Sequence, residues 1–246
     1  MSVGQPIVDI QQGAEVVTPF ADWGIIAFTT GRGAGSFGMQ TDEPVRDVTA
    51  RWGALRALLG GPDARLATAF QVHGAEIIAH GGDWRGFLRG PHADGHLSPV
   101  RGTALAVTVA DCVPVFLAHP GGAAAALHSG WRGTVARITE RAVQQFAMLG
   151  LRASELRLHC GPAICGRCYE VSPDVFGQLT GRPVALPSCV DLRLLIADHA
   201  RAAGVRAISL SPLCTRCDND RFYSHRAGDA GRQLGVVYAP VDRSVP

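Results

Sequence analysis

The 246-residue chain is 47% hydrophobic and carries 23 basic against 21 acidic side chains, a net charge of +2. That is ample apolar material for a core, and charges of both signs are interspersed, without the basic face of a dedicated nucleic-acid binder. Each apolar run is broken by a charge or a histidine before membrane-spanning length, and the first residues form no basic-then-apolar leader, so a cytoplasmic protein with no membrane or nucleic-acid partner is expected.

No Pro/Ser/Gly linker divides the chain, and one domain over 1–246 is expected. A β-like run at 7–10 precedes a convincing strand at 25–30. The loop 31–38 is rich in glycine, which admits positive φ and close approach of a backbone to a ligand. Arg32 is its candidate anion contact, although the loop lacks the Lys-Ser/Thr ending of a standard phosphate loop and reads equally as a plain surface turn. Val45, Val48, Trp52, Leu55 and Leu59 recur at helical spacing, and Gly60-Gly61-Pro62 stops that helix. A strand at 66–72 delivers His73, with 76–79 continuing it past a bend at Gly74. Residues 80–102 read as a polar excursion with little regular structure, in which His92, Asp94 and His96 are candidate substrate or metal contacts.

Residues 103–109 form a clean apolar strand that ends at Asp111-Cys112. The next strand, 113–118, contains Pro114, which has no N–H to donate and belongs at the strand's first residues or on an edge. A small-residue strand at 123–127 ends at His128, and Val135, Ile138, Ala142, Phe146 and Leu149 then mark a helix closed by Gly150. Further strands are expected at 156–160, 169–171, 205–210 and 235–239. Between them come a helical turn from Ser172 and a helix bearing Leu192, Leu195, Ile196 and His199, capped by Asp191 and ended by Gly204.

His73, Cys112 and His128 each stand at or just beyond the end of a strand-like run. Neighbouring strand ends lie roughly 5 Å apart, so adjacent strands would let the three side chains converge. Two imidazoles and a thiolate form a catalytic zinc set with one position left open. The same residues also read as a cysteine nucleophile with His128 or His73 as its base. Asp111 is placed to orient a ligand histidine or to hold a sugar hydroxyl. Arg132, at the expected helix start after Trp131, is placed to hold phosphate or carboxylate, or to pair with a nearby acid.

Gln71-Val72-His73-Gly74, Ala110-Asp111-Cys112-Val113-Pro114, His128-Ser129-Gly130-Trp131-Arg132-Gly133, Gly161-Pro162-Ala163-Ile164 and the late run Phe222-Tyr223-Ser224-His225-Arg226 with Gly231-Arg232 stand in this order. Together they resemble the laccase-domain family, also described as multicopper polyphenol oxidase-like or as peptidoglycan editing factors. The resemblance implies an α/β fold: a single domain of layered, mixed β-sheets with flanking helices, related to cysteine hydrolases. It implies that His73, Cys112 and His128 form a metal and catalytic centre holding zinc, with Asp111 and Arg132 beside it. Arg32, Arg51 and Arg226 are the further candidates for anion contact.

It implies a purine nucleoside phosphorylase. Such an enzyme cleaves adenosine, inosine, guanosine or methylthioadenosine with inorganic phosphate as co-substrate, to free base and (methylthio)ribose 1-phosphate, with adenosine deamination as a companion activity. Peptidoglycan-precursor editing and copper-dependent polyphenol oxidation are the competing labels of the same family. Cu²⁺ suits a single N/S site, but nine histidines with no His-x-His pair do not make a four-copper oxidase. A metal-bound interaction module is the non-enzyme alternative, and a monomer or homodimer is expected. The chain departs from the family at Gly38 and Ala50, where asparagines are usual.

The seven cysteines are not spread as a disulfide framework. Cys165-x-x-Cys168 and Cys214-x-x-Cys217 have the spacing of two halves of a structural zinc site. Such a site would tie the 161–170 loop to the 211–232 loop; the alternative is four unliganded thiols on neighbouring loops.

Overall fold

A computed structural model describes residues 13–40, 43–61 and 64–241; the expected run at 7–10 lies outside them. In chain order the strands are β1 (Glu15–Val16), β2 (Ile26–Thr29), β3 (Arg65–Phe70), β4 (Ile77–Ala79), β5 (Gly86–His92), β6 (Gly95–Ser98), β7 (Thr103–Val109), β8 (Val113–Ala118), β9 (Ala124–Ser129), β10 (Arg157–Cys160), β11 (Glu170–Val171), β12 (Ser188–Cys189), β13 (Ala207–Leu210) and β14 (Gln233–Tyr238). The helices are α1 (Val45–Gly60), α2 (Trp131–Val135), α3 (Ile138–Met148), α4 (Pro173–Thr180) and α5 (Leu192–Ala202). No described helix is long and apolar enough to cross a membrane.

Two mixed six-stranded sheets carry the fold, in the orders β1-β2-β14-β7-β3-β5 and β13-β10-β8-β9-β6-β4. They pack face to face, and strict alternation along the strands explains why. On β7, Leu105 and Val107 point between the sheets while Ala104 and Ala106 point outward. On β8, Phe116 and Ala118 point between the sheets while Val113, Val115 and Leu117 point outward. With both faces covered, these strands have no polar side and read as continuous apolar runs. The outer face of the first sheet is covered by the α1 stripe of Val48, Trp52 and Leu55. The outer face of the second is covered by Ile138, Ala142 and Phe146 of α3 and Ile196 and Ala200 of α5. Each such fully buried large side chain contributes about 1.5–3 kcal/mol.

Pro114 is the second residue of β8 and pairs in register with His128 of β9. It therefore stands among the strand's first residues, as expected, although β8 itself is central. Three local expectations are corrected. Residues 80–102 contain two strands: β5 is a solvated edge strand whose Gly, Arg, Pro and His mask the pattern. β6 is fully buried despite its histidine and serine. Residues 76–79 do not continue β3, because β4 belongs to the opposite sheet and the chain crosses between sheets at 71–76. The helix expected from Val135 to Leu149 is two helices, because Arg137 takes a left-handed conformation (φ 61°) that ends one and caps the next.

Candidate active site

Several chain segments meet beside the end where β3, β7 and β9 stop. β3 stops at Phe70, and Gln71 replaces the next rung of its ladder with side-chain bonds to β7. Its Nε2 donates to the Thr108 carbonyl at 2.8 Å, and its Oε1 accepts from the Thr108 amide at 2.8 Å. The chain then turns sharply at His73, whose φ is 60°. Non-glycine residues pay for a left-handed backbone with about 1–2 kcal/mol, and here one carboxylate holds the turn. Asp94, fully buried, accepts from the amides of Val72 (3.1 Å), His73 (2.9 Å) and Gly74 (2.7 Å). The same Asp94 takes the Nδ1 of His128 at 2.7 Å, while its carbonyl accepts the His128 amide at 2.7 Å. Asp94 thus fixes both imidazoles, one through its backbone and one through its ring. It also leaves the His128 Nε2 free to face Cys112. The residue that orients a histidine is therefore Asp94, not Asp111.

His73, Cys112 and His128 do converge: one ligand atom from each lies within 4.8 Å of the other two. The two rings sit edge to face with centroids 4.7 Å apart. Gly130, the single residue between β9 and α2, backs this cluster. A Cβ there would stand 2.8 Å from the Cys112 sulfur and 3.3 Å from the His73 ring, so glycine keeps the cradle open. Burial disfavours the Cys112 thiolate, but the His128 charge and hydrogen bonds from both histidines outweigh it and pull the thiol down to about 6. Burial likewise disfavours the imidazolium of His128. The Cys112 thiolate and the Asp94 carboxylate outweigh that and push it up to about 9. A zinc ion would take the place of the proton on the His128 Nε2 while the Nδ1–H stays on Asp94, and the resulting set of two imidazoles and a ready thiolate fits that ion.

The cluster opens into a pocket of about 450 Å³ that Arg132, Arg226, Arg232, His225, Tyr169 and Trp131 help to wall. A larger hollow of about 760 Å³, bounded by Trp23, Leu58 and Tyr238, holds no comparable cluster. Arg132 pairs with no carboxylate among the described residues and lies over the Trp131 ring at 4.3 Å. The helix it belongs to is only five residues long, so positive charge in the pocket rests on guanidinium groups more than on a helix dipole. Asp111, also at positive φ (80°), is a brace: its Oδ1 accepts from the Thr215 hydroxyl at 2.6 Å and its Oδ2 from the Arg226 amide at 2.7 Å. The Arg226 guanidinium reaches the Glu170 carbonyl and lies over Tyr169. Burial and the nearby Cys112 thiolate push the Tyr169 hydroxyl up to about 12, so it stays a hydrogen-bond donor.

Residues 33–240 match the family model described as multi-copper polyphenol oxidoreductase laccase. The chain belongs to the laccase-domain family. A protein of Deinococcus radiodurans named purine nucleoside phosphorylase is 36% identical over 238 residues, covering 87% of this chain and 88% of that one. A Streptomyces coelicolor protein of the same name is 36% identical over 199 residues, covering 78% and 82%. The crystal structure of YlmD from Geobacillus stearothermophilus superposes with a TM-score of 0.84 at 28% identity, covering 92% of this chain and 94% of that one.

Within this laccase-domain fold, two candidate anion contacts are engaged elsewhere. Arg32 pairs with Asp229 at 2.7 Å, donates to the Asn219 and Phe222 carbonyls, and stacks on Tyr223, locking the glycine-rich loop onto the 219–229 loop. Arg51 pairs with Glu43 and the Ser36 carbonyl, each at 2.6 Å. Neither lines the pocket, whereas Arg226 does. His92 lies on the exposed edge strand against Phe70, and His96 is buried against His80 at 3.0 Å; neither joins the cluster of His73, Cys112 and His128. Sequence reasoning did not find Gly130, Tyr169 and Thr215 as parts of the site. Gly130 had a signal, lying between a strand-end histidine and a tryptophan; the other two had none.

Proposed function

We propose that the chain is a zinc-dependent purine nucleoside phosphorylase, with His73, Cys112 and His128 holding the metal. The observation that carries this is the N₂S set at the floor of a nucleoside-sized pocket whose walls present guanidinium groups; the names of its relatives agree with it. The metal, when bound, supplies Lewis-acid charge at the reacting centre. Arg132 and Arg226 bind the phosphate oxygens, whose negative charge and geometry suit guanidinium. Asp111, by holding the Arg226 amide, sets where that guanidinium can reach. Trp131 and Tyr169 give flat surfaces for a purine, and the Tyr169 hydroxyl donates to the leaving base. An oxygen of hydrogen phosphate bonds to C1′ of the ribose as the C1′–N bond breaks, the bonding pair stays on the base nitrogen, and the proton that nitrogen takes up is the one the phosphate brings. Adenosine deamination would share the pocket and metal.

The metal set also accepts copper, so metal analysis of protein purified without added metal separates the two. A second reading has a specific support: Asp94 holds the His128 Nδ1 at 2.7 Å and His128 is hydrogen-bonded to the lowered-pKa thiol of Cys112, an orienting acid, base and nucleophile as in a cysteine hydrolase, for which cell-wall precursors are the substrate to test. The deciding experiment supplies adenosine and phosphate and measures adenine, ribose 1-phosphate and inosine. Phosphate-dependent adenine release, abolished in Cys112→Ala, is expected. Inosine without adenine would replace phosphorolysis by deamination, and turnover of muropeptides alone would install the hydrolase reading.

A further inference from the structure

The second cysteine group lies outside the pocket's chemistry, in two turns that the fold brings together. Cys165 and Cys168 stand between β10 and β11, and Cys214 and Cys217 follow β13. β10 and β13 run parallel and paired, and beyond their ends an isolated parallel bridge joins Ala163 to Cys214. The Thr215 amide donates to the Ala163 carbonyl at 3.2 Å. Both pairs are therefore carried to one place by main-chain register, before any side chain is considered.

We propose that Cys165, Cys168, Cys214 and Cys217 bind one tetrahedral zinc ion that clamps the wall of the pocket. All four sulfurs lie within 4.8 Å of one another, and the Cys168 and Cys217 sulfurs are 3.5 Å apart. Zinc–thiolate bonds of about 2.3 Å set sulfur–sulfur edges of about 3.8 Å in a tetrahedron, so the cluster needs only small movements to close on a metal. A disulfide requires sulfurs about 2.05 Å apart, and none of the seven cysteines is bridged.

The backbone is also arranged for thiolates. The Cys214 sulfur accepts the amides of Cys165 at 3.2 Å and of Cys217 at 3.4 Å. Such N–H groups offset the charge of a four-thiolate site, and the Arg216 guanidinium, donating to the Cys168 carbonyl at 3.3 Å, adds a cation beside it. An all-sulfur set selects a soft ion and excludes calcium and magnesium. Four protein ligands leave no open position, which makes the site structural.

The clamp acts on the pocket through the residues next to its ligands. Thr215 follows Cys214 and donates its hydroxyl to Asp111 at 2.6 Å. Tyr169 follows Cys168, and Ile164 precedes Cys165; both line the pocket. Four ligands on two loops thus fix the spacing between the Tyr169 wall and the Asp111 brace.

The test uses zinc content and cobalt spectra under reducing conditions, in wild type, Cys112→Ala and Cys165→Ser/Cys217→Ser. Cys112→Ala disables only the other cluster, so it should retain about one zinc per chain, and its cobalt form should show intense thiolate-to-cobalt charge transfer. The double serine variant should lose about one zinc relative to wild type and melt at a lower temperature. Should that variant not fold, alkylation of Cys112→Ala decides: the four thiols should be protected until a chelator is added. Zinc-free Cys112→Ala, or a cobalt form without charge-transfer absorption, would overturn the proposal. The outcome does not depend on which reaction the pocket performs.

Discussion

Asp94 makes four contacts through one side chain, three to the turn that carries His73 and one to the ring of His128. Three amides of the 72–74 turn converge on its carboxylate and hold His73 in a backbone conformation it would not choose. The fourth contact sets the His128 tautomer. Asp94→Asn keeps the shape but turns one acceptor into a donor facing N–H groups. Outer partners of metal-bound histidines commonly contribute 10- to 100-fold in metal affinity. The folded variant should therefore bind zinc about 10- to 100-fold more weakly in competition with a chromophoric chelator. An unchanged affinity would show that His128 finds its orientation without the carboxylate.

Among the elements, the β8–β14 contact limits how closely the two sheets approach. Gly235 of β14 faces Pro114 and Phe116 of β8: a Cβ would lie 2.9 Å from the Pro114 Cβ and 3.0 Å from the Phe116 ring. Phe116 is fully buried and has nowhere to retreat. Overpacking of this kind costs typically 1–3 kcal/mol, so Gly235→Ala should be destabilised by about 2 kcal/mol in urea unfolding. Because β8 leads directly out of Cys112, the same variant should also bind zinc less tightly. Full stability in Gly235→Ala would mean that the sheets slide apart freely, and that the spacing at Cys112 is set elsewhere.

For the molecule as a whole, the buried His80–His96 pair makes stability depend on acid. Burial holds both imidazoles below their ordinary value, with His96 brought down to about 3 as the His80 charge adds to its burial. The unfolded chain takes up a proton near pH 6.5 that the folded chain refuses, so unfolding gains free energy as pH falls. The contribution of this pair is complete above about pH 6.5 and declines progressively below it, by about 1.4 kcal/mol per pH unit from His96 alone. In chelator-treated protein the stability lost between pH 7 and pH 5 should therefore be about 2 kcal/mol smaller in His96→Phe than in wild type. A slope unchanged in His96→Phe would assign the acid sensitivity to other groups.

Apolar periodicity and contiguous motifs are local properties, so the apolar buried strands, the α1 stripe and the family were legible in the sequence, whereas buried β6, with its histidine and serine, was not. His73, Cys112 and His128 were legible as strand-end residues, and the two Cys-x-x-Cys pairs as matched halves. The change of sheet at 71–76 became visible in the folded chain alone, since both sheets accept the same short apolar run. Only the fold could show that Asp94 supports both histidines while Arg32 and Arg51 are spent in ion pairs. A buried carboxylate and a solvated one look alike in sequence; their difference is the set of donors that distant strands bring within hydrogen-bond reach.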